Sequence, residues 1–128
     1  MALACVVQGT AEEAARFCGR HGVESLCIPD PQKESYRALG LGRASLKELL
    51  FPSDDLKRRR AESKAAGCSN KLEGARQKHS DIFQLSGAAL VAAGGGVLWL
   101  HRSRHTGDLP SADGLLGIVA KYVPPAPA

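Results

Sequence analysis

Apolar residues open the chain as an unbroken run, Leu3, Ala4, Cys5, Val6 and Val7, before the pattern turns helical. A run without alternation predicts a strand over Leu3 to Gln8 that is covered on both faces, the habit of a parallel sheet flanked by helices. Thr10 followed by Glu13 makes a capping box that starts a helix. Ala14, Phe17, Cys18 and His21 fall at i, i+3, i+4 and i+7 as one buried stripe, leaving Glu12, Glu13, Arg16 and Arg20 to solvent. Gly22 ends this helix, and Ser25-Leu26-Cys27-Ile28 predicts a second strand. Asp30 as N-cap and Pro31 as the first helical residue predict a helix to Leu39 that buries Tyr36 and Leu39, with Gly40 just past its end. Leu46, Leu49 and Leu50 predict a short helix with an apolar face over Ala44 to Phe51, stopped by Pro52.

Between Pro52 and Asp81 the only large apolar residues are Leu56 and Leu72, too few to bury much. That segment predicts a mobile insertion, helical at most near Asp55 to Ala66. Order is expected to resume at Ile82. Ala88 to Ala92 and Val97 to His101 predict two strands joined through Gly94-Gly95-Gly96 as an antiparallel hairpin. A last helix starts near Ser111, places Leu115, Ile118, Val119 and Tyr122 on one face, and ends before the proline-rich tail. The expected organisation is a βαβα half over residues 1–51, a basic polar insertion over 52–81, the hairpin and closing helix of the same domain over 82–123, and a frayed tail over 124–128. The fold class is an α/β sandwich with a mixed sheet: a parallel βαβ part, a C-terminal antiparallel hairpin and a closing helix.

Composition narrows the functional classes. A chain of 128 residues is one domain. The longest apolar stretch, Ala88 to Leu100, is broken by its glycines and falls short of the roughly 18 residues a membrane span needs, so no membrane partner is expected. Between Pro52 and Ser80 eight basic residues face four acidic ones, which accounts for the whole net charge of +4. Arg58, Arg59 and Arg60 are therefore candidate binding residues for an acidic partner or a nucleic acid. Aromatic residues to stack on bases are not interleaved there, which favours a solvated insertion over a nucleic-acid surface.

Cys5, Cys18, Cys27 and Cys68 have spacings of 13, 9 and 41, with no CxxC pair and no zinc-finger spacing. A reducing, cytoplasmic compartment is the simplest reading. Cys5, Cys18 and Cys27 lie in apolar segments and are expected to act as small buried hydrophobes. Cys68, between Lys64 and Lys71, is the candidate reactive thiol. His101, Arg102, Arg104 and His105 form the densest polar cluster. Strand alternation places His101 and Ser103 on one face and Arg102 and Arg104 on the other. The two arginines are candidate carboxylate binders, against the plainer reading that they solvate a strand end while His101 satisfies a local carbonyl. His101, His105 and Asp108 lack a fourth ligand of convincing spacing, so no metal is expected, and no cofactor.

Taken together, Val6-Val7-Gln8-Gly9-Thr10, Asp30-Pro31, Tyr36-Arg37-Ala38-Leu39-Gly40-Leu41-Gly42-Arg43, Asp81-Ile82-Phe83-Gln84-Leu85-Ser86-Gly87 and the run His101 to Asp108 resemble peroxiredoxin-like proteins of the AhpC/TSA antioxidant type. The resemblance implies a thioredoxin-like fold, thiol-dependent reduction of peroxides or disulfides, and a thiol reductant as partner. Such proteins carry, ahead of the strand that opens this sequence, a further strand and a helix whose N-terminus bears the redox cysteine. Nothing here matches that part. The resemblance therefore implies an activity impaired or absent, and a sheet with a gap. The gap is closed by pairing the first strand directly with Ala88 to Ala92, or by a strand from a second copy or another partner, or Met1 is an internal start.

Overall fold

The computed structural model describes residues 1–23, 26–67 and 81–125. Cys68 and the rest of 68–80 lie outside the described residues. Strand β1 (Cys5–Val7) leads into helix α1 (Ala11–Arg20), and β2 (Cys27–Pro29) returns parallel to β1. Thr10 Oγ1 accepts from the Glu13 amide at 3.2 Å and donates back to Glu13 Oε1 at 3.2 Å, so the predicted cap starts α1. Ala14 and Cys18 are buried on that helix. Glu13, expected in solvent, is buried as well, because the cap draws its carboxylate back over the first turn. Helix α1 packs against β2 and covers one face of the pair. The other face stays open, against the expectation of cover on both sides: Val6 is 40% exposed and its register partner Ile28 49%.

Cys18 and Cys27, expected as separate small hydrophobes, are joined by a disulfide across Cα atoms 6.2 Å apart. The last turn of α1 and the first residue of β2 meet only once the helix folds back along the strand, which a spacing of nine does not announce. Chain entropy for so short a loop credits the link with about 2 to 3 kcal/mol.

Helix α2 spans Glu34–Ala38, so it starts later than the Pro31 signal predicted. Lys33, not Asp30, takes the N-cap position, and the Asp30 carboxylate reaches the first turn from further back, accepting from the amides of Glu34 and Ser35 at 3.0 Å each. The intervening residues make a turn closed by Lys33 N–H on Asp30 O, with Lys33 at φ 54°. The predicted end is present: Gly40 takes φ 68°, and Leu41 N–H reaches Tyr36 O at 2.9 Å. Tyr36 is half-buried, its hydroxyl donating to Val6 O at 3.2 Å. Helix α3 (Leu46–Leu50) forms on the Ser45 cap, but its apolar face is not buried, since Leu46 and Leu50 are more than 60% exposed.

Helix α4 (Asp54–Ala65), capped by Ser53, occupies the first half of the segment expected to be mobile. Its Leu56 is 2% exposed and sits over Gly107 in the C-terminal loop, so one well-placed leucine anchors the helix. Strands β3 (Gly87–Val91) and β4 (Val97–Arg102) form the predicted antiparallel hairpin, with a bulge between Leu90 and Val91. Its turn closes through Ala92 N–H on Gly96 O at 2.8 Å with Gly95 at φ 93°. Helix α5 (Ala112–Tyr122) follows its Ser111 cap.

This is an α/β, thioredoxin-like arrangement with open sheets: β1 pairs with β2, β3 with β4, and the two pairs do not share a ladder. Direct pairing of β1 with Ala88 to Ala92 is thus not how the halves meet. Instead the Gln8 side-chain amide brackets the backbone of Asp81, donating to its carbonyl at 3.0 Å and accepting from its N–H at 3.1 Å. Ala44 N–H on Phe83 O at 2.7 Å and Leu85 N–H on Gly42 O at 3.0 Å add a short second seam. Among the described residues no helix is long and apolar enough to cross a membrane.

Two substitutions probe this packing. A Cβ on Gly87 would lie 2.6 Å from His101 O and 2.7 Å from Leu41 Cδ2, so Gly87→Ala is expected to lower stability by about 1 to 3 kcal/mol. Leu56→Ala should cost about 2 to 4 kcal/mol through the cavity it leaves. Urea unfolding midpoints measure both.

Candidate functional site

Among the described residues, three places gather chemistry-bearing side chains. The first is Asp81, whose carboxylate receives Lys33 Nζ at 2.8 Å, the Phe83 amide at 3.0 Å and both guanidinium nitrogens of Arg43. The Arg43 and Lys33 hydrogen bonds hold its carboxyl well below the usual carboxylate range. All of its acceptor capacity is taken by groups of the chain itself, which makes it a joint.

The second is the loop after β4. The Asp108 carbonyl accepts from His101 Nε2 at 2.7 Å and from Ser103 Oγ at 2.8 Å, so strand alternation did place His101 and Ser103 on one face, and His101 does satisfy a local carbonyl. The Asp108 carboxylate accepts from Arg104 N at 2.8 Å and Nε at 3.0 Å, and Arg104 foremost lowers its pKa. His105 is buried: Gly107 N–H donates to its Nδ1 at 3.2 Å, while its Nε2 faces Asp55 Oδ2 at 2.5 Å. A nitrogen that accepts a backbone N–H carries no proton in neutral imidazole, so the proton sits on Nε2 and is donated to Asp55. Asp55 also holds Arg58, and the Arg58 bond first, then His105, depresses its pKa to about 2.

Donor atoms of Asp55, His105 and Asp108 lie within 4.8 Å of one another. Each of the three is already engaged within the chain: His105 by Gly107 N–H and Asp55, Asp55 also by Arg58, and Asp108 by Arg104. Sequence reading placed His105 and Asp108 together but missed Asp55, fifty residues away from His105. No local signal marks it; α4 has to dock first.

The expected binding arginines do not converge. Successive helical residues do not share a face. Arg58 pairs with Asp55 and with Glu62 at 3.5 Å, Arg59 Nη1 donates to Leu109 O at 3.3 Å, and Arg60 is exposed on another side of α4. Arg102 and Arg104, expected on one face by alternation, do not converge, because β4 ends at Arg102: Arg102 Nε donates to Leu39 O at 2.7 Å, stabilising the end of α2, and Arg104 is tied to Asp108.

The third is the cysteine cluster on β1, α1 and β2: Cys5, with a free thiol, and the Cys18–Cys27 disulfide. The candidate Cys68 lies outside the described residues.

A parallel βαβ unit, an antiparallel hairpin, flanking helices and cysteines as the distinctive chemistry define a thioredoxin-like α/β protein. The sequence profile of the family described as AhpC/TSA antioxidant enzyme matches residues 1–105, and the chain belongs to that family. No curated protein and no solved structure matches it.

The depressed carboxylates predict how stability follows pH. Between the folded pKa values and the unfolded value near 3.9 the unfolded chain binds more protons. The stabilisation is therefore present above about pH 4 and is lost as pH falls through the folded values. Asp81→Asn is expected to be less stable at pH 6 and to show a shallower decline toward pH 2.5, as read from urea midpoints across that range.

Proposed function

We propose that this AhpC/TSA-family chain supports little or no thiol-dependent reduction of peroxides or disulfides by the family's helix-terminal route. That route needs a thiolate at a helix N-terminus, where unpaired N–H groups and the positive end of the helix dipole stabilise the charge. The observation that carries the reading is the placement of the described cysteines. Cys5 is in a strand, Cys18 is in the last turn of α1, and Cys27 opens β2. None has that electrostatic help. Cys68 is the remaining candidate for residual reactivity, and a thiol reductant is its proposed partner.

The chain works, on this reading, as a scaffold in a reducing, cytoplasmic compartment, with a second copy or a strand-completing partner against the open strand pairs. Recruitment of an acidic partner or nucleic acid through Arg58, Arg59 and Arg60 is disfavoured, since two of the three are engaged internally.

Peroxide consumption with dithiothreitol as reductant tests this directly. Turnover at the level of the reductant alone is the expected result. Saturable turnover that disappears in a single cysteine-to-serine variant would overturn it.

A further inference from the structure

Cys5, Cys18 and Cys27 meet at one place. Cys5 and Cys27 are register partners in the parallel β1–β2 pair. Register partners leave a sheet on the same face, with neighbouring strands about 4.8 Å apart. Cys27 is bonded to Cys18 of α1 over a Cα separation of 6.2 Å, so that shared face is the one α1 covers. Cys27 therefore has one sulfur partner on the helix and a free thiol beside it on the adjacent strand. Both lie within the Cα range of about 4.4 to 6.8 Å that a disulfide accepts. Accessibility is graded: Cys18 is fully buried at 0%, whereas Cys5 and Cys27 are half-buried.

We propose that these residues form a thiol–disulfide exchange site in which Cys27 is the shared central sulfur, Cys5 the outer nucleophile, and a low-molecular-weight thiol the substrate. The Cys5 thiol loses its proton to solvent, and its sulfur attacks Cys27 Sγ. The Cys5–Cys27 bond forms as the Cys27–Cys18 bond breaks, and the electron pair leaves on Cys18 Sγ, which takes up a proton. This step is an isomerisation and needs no external oxidant or reductant. An external thiolate then attacks the Cys5 sulfur, forming a mixed disulfide and releasing Cys27, which is protonated. A second external thiolate attacks its own kind in that mixed disulfide and frees Cys5. The sum is two external thiols oxidised to one disulfide and one protein disulfide reduced to two thiols.

The frame accommodates both ends of this sequence. Cys27 Sγ, bonded to Cys18, lies 3.6 Å from the Ala14 carbonyl oxygen, which is an acceptor for the thiol proton once that sulfur is freed. The α1–β2 connection is held independently by Val23 N–H on Cys18 O at 2.8 Å, and Asp30 N–H on Val7 O at 2.8 Å holds the end of β2 to β1. Attack on a disulfide depends on access to the sulfur, and Cys18 is sealed, so Cys27 is the point of exchange. Cys5 is held beside it by the strand ladder, which replaces a bimolecular encounter with an intramolecular one. A disulfide of this kind in a reducing compartment belongs to the transient, exchanging class.

The test uses the full chain carrying Cys68→Ser, and it reads disulfide linkage rather than peroxide turnover, so its failure is separable from failure of the proposed function. In Cys18→Ser protein equilibrated with oxidised glutathione, acid-trapped and digested without reductant, mass spectrometry should find Cys5 linked to Cys27. In Cys5→Ser protein, reduction of the Cys18–Cys27 bond by glutathione should slow by about tenfold or more. Circular dichroism checks that each variant is folded. Should Cys18→Ser not fold, substoichiometric dithiothreitol applied to Cys68→Ser protein, followed by acid trapping, should reveal the Cys5–Cys27 isomer. Glutathionylated Cys5 and Cys27 with no direct link, or an unchanged reduction rate without Cys5, overturns the proposal.

Discussion

The two strand pairs are held to one another by what converges on Asp81. Its backbone is bracketed by the Gln8 amide, and its carboxylate gathers Lys33, Arg43 and the Phe83 amide. A ladder between the pairs would spread the connection over many backbone bonds, none of which is indispensable. Here the connection is concentrated on one residue and the short seam from Gly42 to Leu85 beside it. A half-buried carboxylate with several donors tolerates such concentration because each donor lowers the cost of keeping the charge out of water.

The same economy governs the C-terminal loop. Asp108 uses its carbonyl for His101 and Ser103 and its carboxylate for Arg104, and His105 is locked between Gly107 and Asp55. These groups have the composition of a site but are spent on one another. Satisfied buried polar networks rigidify a fold, and this one fixes α4 to the end of the hairpin. The cysteine cluster differs, because its central sulfur has two potential partners and uses one at a time.

Local signals were readable wherever the physics is local. Thr10 and Ser111 start their helices where expected, each accepting the amide three residues on, and Gly40 takes the left-handed conformation that ends α2; Ser45 and Ser53 cap α3 and α4 in the same way, although sequence reading marked neither as a cap. The hairpin and its glycine turn follow from the residue pattern, as does the placing of His101 and Ser103 on one face, where both bond the Asp108 carbonyl. Burial was less legible. Leu46 and Leu50 have helical spacing but remain more than 60% exposed, whereas the lone Leu56 in a charged segment is among the most buried side chains. Periodicity says which residues share a face; whether another element covers that face depends on the whole chain.

The sequence by itself therefore determined the order of elements, several of their caps and turns, the α/β class and the family, because these rest on contacts within a few residues or on motifs in combination. The tertiary structure alone decided that Cys18 meets Cys27 beside Cys5, that His105 meets Asp55, and that Asp81 rather than a shared ladder joins the strand pairs. Each of those pairings requires segments far apart in the chain, or a helix folded back on a strand, to be brought within a few ångströms. No residue pattern states such an approach before the packing that creates it.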